Sequence, residues 1–110
     1  MSKQTMATQL PRRVAKNLAI VGEQIRLARL RRNHTMAQIA ERAQCSLVTL
    51  GKVEKGDATV SIGIYLRVLY ALRLDEDILF LARDDELGRH VQDCQLLTRK
   101  RATKTPKSEF

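Results

Sequence analysis

The sequence predicts an all-α fold, a compact five-helix bundle, and three observations predict it. Apolar residues recur at helical intervals in separate short runs. Side chains able to cap a helix N-terminus stand directly ahead of several of these runs. Leu, Ile, Val and Ala are common while aromatic residues make up 4% of the chain, a composition suited to close-packed helices rather than to a sandwich of sheets. At 110 residues there is room for one domain. A domain of this size buries a modest fraction of its surface, so dense helical packing or dimerisation is expected to supplement the core.

Residues 1 to 11 are polar, end at Pro11 and read as a flexible lead. A first helix is expected from Arg12 to about Arg32, where Val14, Leu18, Val21, Ile25, Ala28 and Leu30 recur at roughly helical intervals. Arg26, Arg29, Arg31 and Arg32 surround its later turns. Of these, Arg26 and Arg29 suit solubility or interhelical salt bridges better than base recognition. Asn33 and His34 interrupt the pattern, and Thr35 can cap a short second helix over about Met36 to Ala43. Ile39, Ala40 and Ala43 form its inward face, and the small alanines let the next helix come close. Gln44 and Cys45 make a turn and Ser46 caps a third helix. There Thr49, Leu50 and Val53 face inward, with Leu47, Val48, Gly51 and Lys52 outward.

The exit KVEKGD places Gly56 where a helix stops. Glu54 reads as a helix-end acid, bonding locally or pairing with an arginine. Ser61 can start a fourth helix through about Leu72, with Ile64, Leu66, Val68, Leu69 and Leu72 mainly in the core. A fifth short helix is expected from Asp75 to Arg83. Its leading acids favour the N-terminus, and Ile78, Leu79 and Leu81 can close the bundle. Gly88 then breaks the pattern. Val91, Cys94, Leu96 and Leu97 follow as a weakly amphipathic segment, either a dimerising or partner-binding element or an extra helix over the core. After Thr98 the charge run and Pro106 imply loss of compact order. The expected organisation is a lead over 1–11, a helical domain over 12–86, a partner or dimerisation segment over 87–98 and a basic flexible tail over 99–110.

The net charge of +8 is concentrated at the ends. Residues 1 to 13 carry Lys3, Arg12 and Arg13 without an acid, and residues 99 to 110 carry Arg99, Lys100, Arg101, Lys104 and Lys107 against Glu109. The stretch between them is nearly balanced. Such ends act as phosphate-seeking arms or simply as solubilising tails. Neither Cys45 nor Cys94 belongs to a close ligand pair, and His34 and His90 complete no zinc pattern, so no disulfide scaffold and no metal site is expected. No apolar run reaches bilayer length, and MSKQTMATQLPRR lacks the hydrophobic stretch of a secretory signal, which points to the cytoplasm. No pair of side chains has a general acid/base or nucleophile arrangement, and no glycine loop can cradle a phosphate. Neither an enzyme nor a cofactor is expected.

The segment TMAQIAERAQCSLVTLGKVEKG, Thr35 to Gly56, has the spacing of two short helices around a polar turn, a device for setting one helix against a DNA duplex. From Gly22 through Glu86 the chain resembles the Cro/CI-like XRE family of helix-turn-helix regulators. The likeness is carried by GEQIRLARLRR, IAERAQCSLVTLGKVEKGD and SIGIYLRVLYALRLDEDILFLA. It implies a lambda-repressor-like arrangement of five helices and DNA binding. The stretch YLRVLYALRLDEDILFLA and its short tail are similar to the compact antitoxin and autorepressor group, which includes partners of HipA-like serine/threonine kinases. That likeness implies a homodimer on a palindromic operator upstream of its own gene, often with a toxin that tightens repression. A stand-alone repressor without a toxin is the alternative.

By the resemblance, the reading positions fall at Met36 and at Ser46, Leu47, Val48, Gly51 and Lys52. The chain departs from the family pattern here: Gln is frequent where Met36 stands, and polar or basic residues are frequent at Leu47 and Val48. Base-edge hydrogen bonding is therefore expected to be thin, with thymine methyl contacts and DNA deformability contributing selection. Lys52 can approach guanine or phosphate. Phosphate is preferred for Lys52 and Lys55, with Thr35, Arg31 and Arg32 as further backbone-positioning residues. Gln38 is a DNA contact or a solvent-facing helix former, and Leu47 and Val48 serve the operator, a partner or local packing. Candidate dimer or partner residues are Leu79, Phe80, Leu87 and Val91, although a leucine exposed on a small helical protein can be ordinary surface.

Overall fold

Short apolar runs punctuated by capping side chains fold as separate helices. The computed structural model describes residues 9–102, with side chains through Leu97, and among them the secondary structure is helical throughout. The helices are α1 (Arg12–Arg31), α2 (Met36–Ala43), α3 (Leu47–Glu54), α4 (Ile62–Ala71) and α5 (Glu86–Ala102), with a 3₁₀ helix over Asp75–Phe80 between the last two. Of the basic arms expected at the ends, residues 1–8 and 103–110 lie outside the described residues. The chain divides into two compact units between Ile78 and Leu79.

The expected caps set the starts of α2, α3 and α4. Thr35 Oγ accepts from the Gln38 amide and the Gln38 side chain accepts from the Thr35 amide, a reciprocal capping box. Ser46 accepts from the Thr49 amide and Ser61 from the Ile64 amide. The four helices of the first unit end alike. Asn33, Gln44, Gly56 and Arg73 all take left-handed φ, from 57° to 73°. At each exit two amides reach back, as in His34 to the Arg29 carbonyl and Asn33 to Leu30, or Cys45 to Ala40 and Gln44 to Glu41. Asp57 to Lys52 with Gly56 to Val53, and Leu74 to Leu69 with Arg73 to Tyr70, complete the set. These are Schellman closures, which satisfy the last carbonyls and turn the chain sharply. The sequence announces such a stop at Gly56 and, by the break in the pattern, at Asn33.

The core of the first unit collects Ile25 and Ala28 from α1, Ile39, Ala40 and Ala43 from α2, and Leu50 and Val53 from α3. Tyr65 and Val68 of α4 and Leu72 just beyond it complete the core. The inward faces expected of α2 and α3 are the observed ones, except that Thr49 is half-buried. On α1 the buried side consists of Gly22, Ile25, Ala28 and Arg29. Val14, Val21 and Leu30 stay exposed, because the burying stripe passes through a glycine and an arginine that a hydropathy pattern skips. On α4, Tyr65 occupies the core, while Ile64, Leu66 and Leu69 are half-buried.

The end of the bundle differs from expectation. The turn from Asp75 is 3₁₀ and stops at Phe80 rather than running as a helix to Arg83. Leu79 and Leu81 are 69% and 74% exposed and close nothing. Four consecutive apolar residues, Ile78 to Leu81, cannot all face one side of a three-residue turn. Leu74 packs against the core instead, and Ile78 is half-buried. Gly88 does not break the chain. It lies in the first turn of α5, where its amide donates to the Asp85 carboxylate at 3.0 Å. The helix also runs past Thr98, where loss of order was expected, as far as Ala102.

Tyr65 donates its phenolic O–H to the Asp57 carbonyl at 2.8 Å and so ties α4 to the loop leaving α3. Burial, with the Asp57 carboxylate adding to it, pushes the phenol up to about 12. The neutral form is favoured in the folded state. Its contribution is therefore complete below the ordinary value of 10.0 and is lost as pH rises from there through about 12. Tyr65→Phe is expected to cost about 1 kcal/mol at neutral pH and to flatten that alkaline decline in urea-denaturation midpoints. A variant whose midpoint falls as steeply as the parent's above pH 10 would show that Tyr65 carries none of the decline.

Candidate nucleic-acid interface

Helix α3 presents two chemically distinct sides. Leu50, Val53 and Glu54 are buried, while Leu47, Val48, Lys52 and, at the helix end, Lys55 are exposed, Val48 by 70%. At about 100° per residue the exposed positions share one face with the half-buried Gly51. The structure thus brings together five of the expected site residues: Leu47, Val48, Gly51, Lys52 and Lys55. Met36 differs in kind. It is half-buried, packs against the core, and its Cε would lie 3.9 Å from a Cβ placed on Gly51. It therefore lies beside Gly51, against the core, rather than standing free on the exposed face of α3.

Three polar site residues are already engaged. Thr35 and Gln38 are joined in the capping box, and Gln38 is thus more than the solvent-facing helix former of its plainer reading. Ser46 Oγ accepts from the Thr49 amide and donates to Thr49 Oγ1 at 2.9 Å. What remains for an outside acceptor is the Thr35 hydroxyl proton and the Gln38 side-chain amide N–H groups. Arg31 and Arg32 are exposed at the end of α1. Arg32 Nη1 donates to the Ala28 carbonyl at 3.0 Å, so it closes its own helix while the rest of its guanidinium faces outward.

Helix α3 is held by a buried ion pair. Arg29 Nε donates to one Glu54 carboxylate oxygen at 2.7 Å and Nη2 to the other at 3.2 Å, with both residues buried. Arg29 Nη1 donates to the His34 carbonyl at 3.0 Å. One guanidinium therefore joins α1, the link into α2 and the end of α3, through all three of its nitrogens. Arg26 pairs locally with Glu23 on the exposed side of α1. The interhelical role foreseen for this arginine pair falls to Arg29, and the pairing foreseen for Glu54 is the observed one. That these two residues meet is not readable from positions 25 apart.

A second anchor lies where α1 crosses the exit of α3. A Cβ on Gly22 would stand 2.5 Å from the Gly56 nitrogen and 2.7 Å from the Val53 carbonyl oxygen. The two backbones touch there because neither residue has a side chain. Beyond Gly56, Asp57 accepts from the Thr59 amide and hydroxyl at 2.7 and 2.6 Å. Those bonds hold its carboxyl below the usual range; slight burial opposes them, and Lys52 assists. An ionised carboxylate beside Lys52 is a feature the sequence reading missed.

Elsewhere the chemistry is quiet. Burial pushes the Cys45 thiol up, with Arg67 partly offsetting it. This favours the unreactive protonated form. Among the described residues no group of three or more His, Cys, Asp or Glu could hold a metal ion, and no helix is long and apolar enough to cross a membrane. Leu79, Phe80, Leu87 and Val91, the candidate interface residues, are all exposed. The Arg83 guanidinium stacks 4.8 Å from the centre of the Phe80 ring.

A family model described as a helix-turn-helix domain matches residues 20–79. No match was found among curated proteins or among solved structures. The matched range begins two residues before Gly22, ends in the 3₁₀ turn and contains the capped pair α2 and α3, the Arg29–Glu54 pair and the Gly22–Gly56 crossing. The chain belongs to the helix-turn-helix domain family, of the XRE-like kind.

Proposed function

We propose that the protein is a sequence-specific transcriptional repressor that binds operator DNA as a homodimer. The observation that carries this reading is the exposed face of α3, two aliphatic side chains and two lysines around a glycine, on a helix whose other side is locked into the core. Two such helices related by a two-fold axis enter successive major-groove faces about 34 Å apart, and the bound dimer obstructs transcription initiation. Lys52, Lys55, Arg31, Arg32 and Thr35 take phosphates and set the register, while Leu47 and Val48 meet thymine methyl groups. Gln38 and Ser46 hold the helix starts and lend what donors they have left. The antitoxin reading, with a HipA-like kinase as toxin partner, rests on the likeness of the stretch from Tyr65 to Ala82. Co-purification of a kinase-like protein, or a toxin gene beside this one, separates it from a stand-alone repressor.

Gly51 sharpens the test. A glycine inside a helix costs about 1 kcal/mol relative to alanine, and nothing in the fold requires one here: a Cβ would meet only Met36 Cε, at ordinary contact distance. A backbone that must approach a base edge closely accounts for it. Gly51→Ala is therefore expected to raise stability by roughly 0.5–1 kcal/mol while weakening binding to the protein's own upstream DNA. In the same assay Lys52→Ala should weaken binding to all sequences and reduce the salt slope by about one. Leu47→Ala should act mainly on the cognate site. Equal, weak binding of the parent to cognate and random duplexes at near-physiological salt would refute sequence-specific repression by this chain alone.

A further inference from the structure

We propose that Asp57 is a specificity-determining residue of the α3 face: its fixed carboxylate draws the Lys52 ammonium toward the exit of the helix, where a phosphate takes it, and keeps it from reading a base. The proposal rests on the repressor reading above and deepens it. A lysine on this face has two uses, since an ammonium binds guanine O6 and N7 as well as phosphate oxygens. The helix by itself favours the base. Side chains of an α-helix tilt toward its N-terminus, so Lys52 left alone extends over Val48, one turn back and exposed on the same helix.

The exit of α3 supplies the opposing charge. The Asp57 amide donates to the Lys52 carbonyl at 3.0 Å, and the Gly56 amide to the Val53 carbonyl at 3.0 Å. This closure folds the chain back and sets residue 57 beside residue 52, two positions across which apolar side chains commonly meet. Here they are an aspartate and a lysine. The aspartate is firmly held. Its carboxylate Oδ1 accepts from the Thr59 amide at 2.7 Å and from the Thr59 hydroxyl at 2.6 Å, and its main-chain carbonyl accepts from the Tyr65 phenol at 2.8 Å. Both carboxylate bonds fall on Oδ1, which leaves Oδ2 for a cation. Lys52, exposed on a long flexible stem, is the cation that helps to keep this carboxyl ionised. Among the described residues the direct ion pairs are Arg26–Glu23 and Arg29–Glu54, so Asp57 guides Lys52 across a gap rather than capturing it. The ammonium stays available to DNA. An attraction of this kind at a surface biases a side chain between two positions by roughly two- to fivefold.

Selection of binding sites from randomised duplexes by the full-length protein tests this. Asp57→Asn keeps the oxygen that Thr59 bonds and removes only the charge. Its selected sites are expected to gain one guanine per half-site, preferred roughly two- to fivefold over the other bases, at a position where the parent has no preference. Lys52→Ala alone should select the parent's sites at lower affinity, and Lys52→Ala added to Asp57→Asn should erase the new guanine. Identical sites for the parent and Asp57→Asn would overturn the role of Asp57 and leave the repressor reading intact. So would a guanine in the parent's own sites that Lys52→Ala removes, or a new guanine that survives Lys52→Ala. A parent that selects no sites sinks the repressor reading itself, and the choice between base and phosphate with it.

Discussion

Gly56→Ala is expected to destabilise the first unit by roughly 3 kcal/mol, and Gly22→Ala by roughly 2 kcal/mol, in chemical denaturation. At Gly56 two costs combine. The residue sits at φ +73°, where a side chain crowds its own backbone, and its Cβ would run into the Leu18 carbonyl and come within 2.6 Å of Ala19 Cα. At Gly22 the backbone is ordinary helix, and on an exposed helix Gly→Ala would add stability. Here the sign reverses, because the new methyl meets the backbone of Val53, Glu54 and Gly56 rather than a side chain that could swing away. For a domain this small each kcal/mol is worth about 4–8 °C in Tm, so both effects are readily measured. A neutral or stabilising Gly22→Ala would mean that α1 and α3 are not in backbone contact. The effect also reaches function: separating α1 from the exit of α3 re-aims the helix bearing Lys52 and Lys55.

Glu54→Gln is the second large effect, expected to cost roughly 3–5 kcal/mol, because it keeps the shape of the side chain and leaves the buried Arg29 guanidinium without its counter-charge. The double replacement Arg29→Met with Glu54→Leu removes both charges and is expected to recover most of the loss, since the desolvation of two ions is no longer required. A double-mutant cycle in urea measures the coupling. If the two single changes simply add, the pair is not a coupled buried unit. The recovered double variant separates stability from positioning: it lacks the Arg29 bond to the His34 carbonyl. Its affinity for cognate DNA is therefore expected to stay below the parent's even where its stability does not.

These two anchors show how far the sequence could be read. The starts of α2, α3 and α4 were legible because Thr35, Ser46 and Ser61 act on amides three residues ahead, within reach of local chemistry. The split of α3 into a buried and an exposed side was legible for the same reason, since one helix period sorts Leu50 and Val53 from Leu47, Val48 and Lys52. The core side of α1 was only partly legible. Its stripe runs through Leu18, Gly22, Ile25 and Arg29, and two of those four have no hydropathy signal. The left-handed exits at Gln44 and Arg73 were invisible because neither residue type favours that conformation. The end of the bundle was misread because an apolar run such as Ile78 to Leu81 gives no sign of which members a tight turn can bury.

The sequence by itself determined the helical class, the order and N-terminal boundaries of the short helices, and the family, since all of these follow from periodicity, caps and spacing over a few residues. Tertiary structure alone decided what fixes α3 in place. Arg29 finds Glu54 across 25 positions, Gly22 finds Gly56 across 34, and Tyr65 rather than a neighbouring aliphatic residue fills the core beside Asp57. Those choices depend on how closely two backbones can approach and on whether a buried charge meets its partner. Both are properties of the packed chain that no local pattern of residues encodes.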